Sequence, residues 1–353
     1  MARCWSVFAL SLAITFIGCT TKSTGTAIGE AGRLPLEQIL DVPVRAQLAA
    51  SAGGSPRFDY AAVDDRRGLL YIAYLGANQV VVFDLNANKI VARIPNLQAV
   101  HGVLAVPTMN TVYASATGTN EIAVIDETTQ RLKARVPGGD YPDGIAYDPV
   151  NHKIFVSDEA GGTDTVIDTR SNRRVDTIDL GGEVGNTQYD SAARRIFADV
   201  QTKNELVAVD PASDRVVARY ALPGCVHDHG LYIDGARRLA FVACDGNAKL
   251  LVLDMHAMRV RAVFSVGKAP DVLTFDPGLR RLYVASESGV VSVFAENGTT
   301  LRKLGEAFLA DEAHVVALDP RTHRVYFPLQ NVDGRPVIRV MKPLLRRTGD
   351  SGE

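Results

Sequence analysis

One unit recurs along this chain at a nearly constant interval. VVVFD ends at Asp84, IAVID at Asp126, TVID at Asp168, VAVD at Asp210, LVLD at Asp254, VSVF at Phe294 and VIRV at Val340, so successive units lie 42, 42, 42, 44, 40 and 46 residues apart. A chain built this way is a row of supersecondary modules, and the module decides the fold. Within the unit DGIAYDPVNHKIFVSDEAGGTDTVIDTRSNRRVDTIDLGG (143–182), apolar residues fall at every second position and are interrupted about every ten residues by Asp-Pro, Gly-Gly or Ser-Asn clusters. That pattern describes four short antiparallel strands per unit. No segment after residue 36 carries a helical period.

Four strands at such a period, repeated radially, predict an all-β, seven-bladed β-propeller. The inner strands are expected to begin near Asp59, His101, Asp143, Gly185, His229, Asp271 and His314. After VIRV too little chain remains to complete the last blade. The segment ILDVPV (39–44) resembles the fourth strands DTIDLGG and ARIPNL, so closure by an N-terminal strand is expected, which removes an exposed sheet edge. An open six-bladed array with an extra sheet is the alternative. The propeller is assigned to 36–342 and a short tail to 343–353. Propellers grow by adding blades, so 353 residues do not argue for two domains.

The first residues are a separate object. Arg3 is the only early charge, Trp5 to Ile17 is an apolar stretch too short to span a membrane, and Gly18-Cys19 follows. This reads as a signal peptide over 1–18. Gly-Cys resembles a bacterial lipobox, making Cys19 the expected lipidation site; Phe16 departs from that pattern, and an ordinary signal peptide is the alternative. A polar tether over 19–35 follows. The implied location is the bacterial cell envelope, exported, lipid-anchored and facing the periplasm, with membrane contact only through the lipid. Of the four cysteines, only Cys225 and Cys244 lie in the propeller. Folding the hairpin about Gly235-Ala236 puts them opposite one another, so a disulfide is expected in an oxidising compartment, two buried thiols being the alternative.

FDYAAVDDRRGLLYIA, VHGVLAV, PDGIAYDP, CVHDHGLYIDGARRLAFVAC and ALDPRTHRVYFP resemble the repeats of exported bacterial YVTN or YncE-like β-propellers, over roughly 36–342. The resemblance implies seven blades, export and the Cys225–Cys244 pairing, but it is specific for fold and not for activity. It also implies an acidic residue in blade four where this chain has Gly185.

Aligned on the end of each inner strand, the position five residues earlier is Asp59, His101, Asp143, Gly185, His229, Asp271 and His314. In a propeller these side chains converge on one end of the axis, so Asp59, His101, Asp143, His229, Asp271 and His314 form the expected ligand-binding ring. Converging imidazoles and carboxylates can hold a divalent metal ion, can bind or protonate a small polar ligand, or can simply line a wet channel. His227, Asp228, Asp311 and Glu312 in the entering loops enlarge the ring. The loops Gly76–Gln79, Thr117–Glu121, Gly161–Asp164 and Gln201–Glu205 would form its rim, with His152, His256 and His323 at the far end. No nucleophile elbow, phosphate loop, His-Glu-x-x-His or Cys-x-x-Cys is present. A net charge of −2 without long charged runs argues against nucleic acid as partner. The leading expectation is therefore a monomeric, non-enzymatic envelope scaffold that binds a small ligand or an envelope protein at the channel mouth. The other is a metal-dependent lactonase- or lyase-like enzyme, with His101, His229 and His314 as ligands and Asp143 or Asp271 as catalytic base.

Overall fold

A computed structural model describes residues 32–345 except 46–47 and 50–53. The expected signal peptide, Cys19 and most of the tether and tail lie outside the described residues. What is described is all-β: seven four-stranded antiparallel sheets, with no α-helix among them and only short 3₁₀ turns.

Each blade is a meander whose turns follow from its sequence. Asp84, at the end of a third strand, accepts the backbone N–H groups of Asn86 and Ala87 at 2.9 and 2.8 Å, and Asn88 then turns the chain at φ 49°. Asp126 does the same for Thr128 and Thr129. Asp64, Asp148, Asp190 and Asp276 cap the turns after their inner strands in the same way, so the recurring Asp is a turn device, not a site residue. The ladder between third and fourth strands also slips at one recurring place, between Val82 and Phe83, Val124 and Ile125, Val166 and Ile167 and their equivalents up to Val293 and Phe294. Such a bulge adds twist, which fits wedge-shaped blades around an axis.

Burial follows position in the blade. The second and third strands, Leu69–Tyr74 and Gln79–Asp84 in blade one, are buried on both faces because a neighbouring blade covers each. The outer strand Lys89–Ile94 is only partly covered, with Lys89 and Val91 exposed and Ile94 buried. The core therefore lies in layers between blades, for example Tyr71, Ala73, Val80 and Val82 of blade one against Val103, Val112, Ala114 and Ile125 of blade two.

The ring closes as expected. Blade seven comprises Ala317–Asp319, Arg324–Val332 and Arg335–Pro343, and its outermost strand is the N-terminal Leu36–Pro43. Arg339 grips Asp41 through two parallel bonds of 2.8 and 2.7 Å, pinning that register. Cys225 and Cys244 form a disulfide with Cα atoms 5.4 Å apart. It is not the cross-strand pair that a simple hairpin gives: the ladder sets Asp228 opposite Cys244, and Cys225 returns to it from the preceding turn.

Candidate functional site at the channel mouth

The ladder between inner and second strands breaks where the ring residues sit. Register shifts fall between Val100 and Val103, Pro142 and Ile145, Asp228 and Gly230, and Pro270 and Leu273, bracketing His101, Asp143, His229 and Asp271. A bulge re-aims a side chain that a regular ladder would direct into the blade. Close approach of neighbouring blades explains the glycines beside the ring: a Cβ on Gly102 would lie 2.0 Å from the carbonyl oxygen of Asp143, and one on Gly230 would lie 1.9 Å from that of Asp271. Gly185 is constrained likewise, since a Cβ there would meet His229 Cα at 2.9 Å, leaving no room for an acid.

Asp59, His101, Asp143, His229 and Asp271 share one cavity of about 220 Å³ at this end of the axis. His314 does not join them. It is 1% exposed, and its Nδ1 and Nε2 face the carbonyl oxygens of Glu312 and Phe58 at 2.9 and 3.1 Å, across the seam between blades seven and one. Among the described residues, no group of three or more His, Cys, Asp or Glu side chains is arranged to hold a metal ion.

Two further repeat positions complete the cavity, and the sequence reading missed most of them. Two residues before the ring stand Arg57, Ala99, Tyr141, Glu183, His227, Ala269 and Glu312, of which Arg57, Tyr141, His227 and Ala269 line the chamber. Ala99, Tyr141, His227, Ala269 and Glu312 all hold φ between 44° and 60° without being glycine. The turns at the opposite end hold the same backbone, at Gln130, His152 and Arg238 for example, so the left-handed residue belongs to the turns of the repeat and here it sets where these side chains stand. The first residue after each second strand supplies Glu159, Gln201, Asp245 and Glu287. Aligning either position across the repeat would have found them: the second reads Leu75, Thr117, Glu159, Gln201, Asp245, Glu287 and, inside the longer strand of blade seven, Gln330, polar in every blade but the first.

Hydrogen bonds fix the protonation pattern. His101 Nδ1–H donates to the Ala99 carbonyl at 2.7 Å, and Nε2 lies 3.1 Å from the Tyr141 hydroxyl. His229 Nδ1–H donates to Gln201 Oε1 at 3.0 Å, and the Gln201 amide donates onward to Glu159 Oε1 at 3.0 Å. His229 Nε2 lies 3.3 Å from Asp271 Oδ1, an ion-pair distance poorly aligned for a hydrogen bond. Burial opposes charge on His229, yet Asp271, Asp143 and Glu159 push its pKa well up. Burial likewise opposes ionisation of Asp271, but His229 holds it below the usual carboxylate range. The pair is imidazolium and carboxylate. Asp143 behaves oppositely: burial, then the charge of Asp59, drives its pKa well up, and its Oδ1 has no partner. Arg57 is already engaged, at 2.8 Å from Glu287 and 3.1 Å from Glu312.

Beneath the ring, Tyr60 crosses the channel and its hydroxyl meets Asn186 Nδ2 of blade four at 3.3 Å. The channel below it widens into a second chamber lined by the inner strands. Of the loop residues, His227 lines the mouth and pairs with Asp245 at 2.8 Å, and Glu312 holds Arg57. Asp228 turns inward instead. Its carboxyl and that of Asp199 are buried without hydrogen-bond partners; burial, then Asp228, pushes Asp199 well up, and Asp228 itself rises to about 7.

No protein-family model matches the chain. No curated protein sequence matches it. Among solved structures it is similar to a chain of Kuenenia stuttgartiensis hydrazine synthase, with a TM-score of 0.68 and 14% identity, over 82% of this chain and 96% of that one. At that identity the likeness carries the propeller fold and nothing about chemistry.

Proposed function

We propose that this protein is an exported, lipid-anchored envelope scaffold that binds a small polar ligand in the cavity at the channel mouth. One observation carries the reading: a chamber with bulge-aimed walls holds a buried carboxyl oxygen, Asp143 Oδ1, with neither a hydrogen-bond nor an ion-pair partner. A buried polar atom left unpaired costs roughly 1–3 kcal/mol, and a ligand donor can recover it. The disulfide is compatible with export, and the Gly18-Cys19 ending supports the anchor. The metal-dependent lactonase- or lyase-like reading has less behind it, because His314 spends both ring nitrogens on carbonyls and His229 points N–H groups at Gln201 and Asp271.

The test uses the exported full-length chain. Ala269→Tyr should fill the mouth without disturbing the backbone, since Tyr141 occupies the equivalent place at a similar φ. Thermal shifts given by a panel of amino acids, amines, sugars and dicarboxylates should be present in the wild type and lost in this variant. Shifts that survive the substitution would move the ligand elsewhere, and a panel without any shift would remove the binding reading. For the anchor, Cys19→Ser should abolish metabolic lipid labelling; unchanged labelling would refute it.

A further inference from the structure

The charge balance of the mouth says which ligands it can take. Six acidic side chains face the chamber: Asp59, Asp143, Glu159, Asp245, Asp271 and Glu287. The cationic groups facing it are already committed. Arg57 is shared between Glu287 and Glu312, His229 stands against Asp271, and His227 against Asp245. Asp59 takes the backbone N–H of Tyr60 and lies 3.9 Å from His101 Nε2, beyond hydrogen-bond distance, while Nε2 meets the Tyr141 hydroxyl at 3.1 Å. Glu159 receives only the neutral amide of Gln201 among the side-chain bonds of the chamber. The surplus is carboxyl groups without a cation: Asp59 and Glu159 have none committed to them, and Asp143, whose pKa burial drives up, lacks the neighbouring positive charge that would let it ionise.

Resting on the binding reading above, we propose that the ligand is a small primary amine whose ammonium group sits between Asp59, Asp143 and Glu159. An ammonium brings three N–H donors and one positive charge to carboxyls of which Asp59 and Glu159 hold only neutral amide donors and Asp143 Oδ1 holds none. Tyr141 and His101, with ring centroids 5.1 Å apart, form an aromatic wall against which a short carbon chain and its cationic head can lie. A chamber of about 220 Å³ corresponds to roughly seven waters, so the ligand is limited to a few heavy atoms. A carboxylate or phosphate ligand would meet like charge on most sides.

Three four-carbon probes of similar length separate charge from shape: 1,4-diaminobutane, 1,4-butanediol and succinate. Titration calorimetry on the full-length chain should detect the diamine alone. Asp143→Asn and Glu159→Gln, which keep side-chain size, should each weaken it at least tenfold, whereas His152→Ala at the opposite end should leave it unchanged. Binding of the diol or succinate as tightly as the diamine would overturn the proposal, as would diamine binding untouched by both carboxyl substitutions. If none of the three binds while other panel compounds still give shifts that Ala269→Tyr removes, the amine assignment is wrong and the mouth remains a binding site. If no panel compound responds either, both fall.

Discussion

Asp164→Asn should make the protein more stable at neutral and alkaline pH and leave it nearly unchanged in acid. Asp164 is the second residue of the third strand in blade three, where the other blades carry Val80, Ile122, Leu206, Leu250 and Val291. It is fully buried; Oδ2 accepts the Thr187 hydroxyl at 3.1 Å and Oδ1 has no partner. Burial, then the neighbouring charge of Asp158, raises its pKa from 3.8 to about 7. Because the folded value lies above the unfolded one, the stability tied to this group is complete below about pH 4 and is lost as pH rises through about 7. The interval is about three pH units, which at 1.36 kcal/mol per unit gives roughly 4 kcal/mol as an upper bound. Asn keeps the oxygen that Thr187 needs but leaves an amide to accommodate, so about half of that, near 2 kcal/mol, should appear as a gain. Thermal melts of wild type and variant at pH 4.5 and pH 8 test this, with a rise of a few degrees in Tm expected only at pH 8. An equal loss at both values would mean that Asp164 is ionised and stabilising in the folded state, and the reasoning would fail.

Two other outcomes follow from the same structure. Deleting Leu36–Pro43 removes seven paired positions and the Asp41–Arg339 fork, which should cost on the order of 5 kcal/mol and expose a strand edge; a truncated protein that melts at the same temperature as a monomer would contradict the closure. Intact-mass measurement of the exported protein should show two hydrogens fewer before reduction than after, and Cys225→Ser should lower stability by about 3 kcal/mol; two alkylatable thiols in the unreduced native protein would refute the bridge.

The fold was legible because each blade states it again. Period, alternation and turn residues all point to one architecture, and even the donor of the closing strand could be read from its likeness to other outer strands. The mouth was legible only in part. Ring register places Asp59, His101, Asp143, His229 and Asp271 around one cavity, because equivalent backbone positions in a propeller converge. It misjudges His314, where the inner strand shrinks to Ala317–Asp319 and the imidazole is absorbed by carbonyls at the closure seam. Gln201 entered only as the start of a rim loop and Arg57, Tyr141, Glu159 and Glu287 not at all, because their reach depends on left-handed backbone at non-glycine residues and on where the second strands end, and only alignment of the polar positions from blade to blade exposes them. The spacing of apolar residues encodes neither.

Departures from the repeat point to one sector of the ring. Asp158 stands where other blades have Tyr74, Ala116, Val200, Cys244 and Ser286, and Asp164 stands where they have Val, Ile or Leu. Asp199 replaces Ser115 and Ser157, whose hydroxyls donate to the carbonyls of Asp143 and Gly185 in the next blade, and Asp228 replaces Val100, Pro142, Val184 and Pro270. All four lie at the mouth end of blades three to five, all are buried, and the pKa of each is raised by burial first. The sister blades fold without acids at these places, so the architecture does not require them. Asp158 is satisfied by Gly139, Thr163 and Thr165, but Asp164, Asp199 and Asp228 keep unpartnered oxygens beside Glu159, Gln201 and His229, so on the binding reading proposed above this sector is where specificity would be set, since local rules are broken where function outweighs stability.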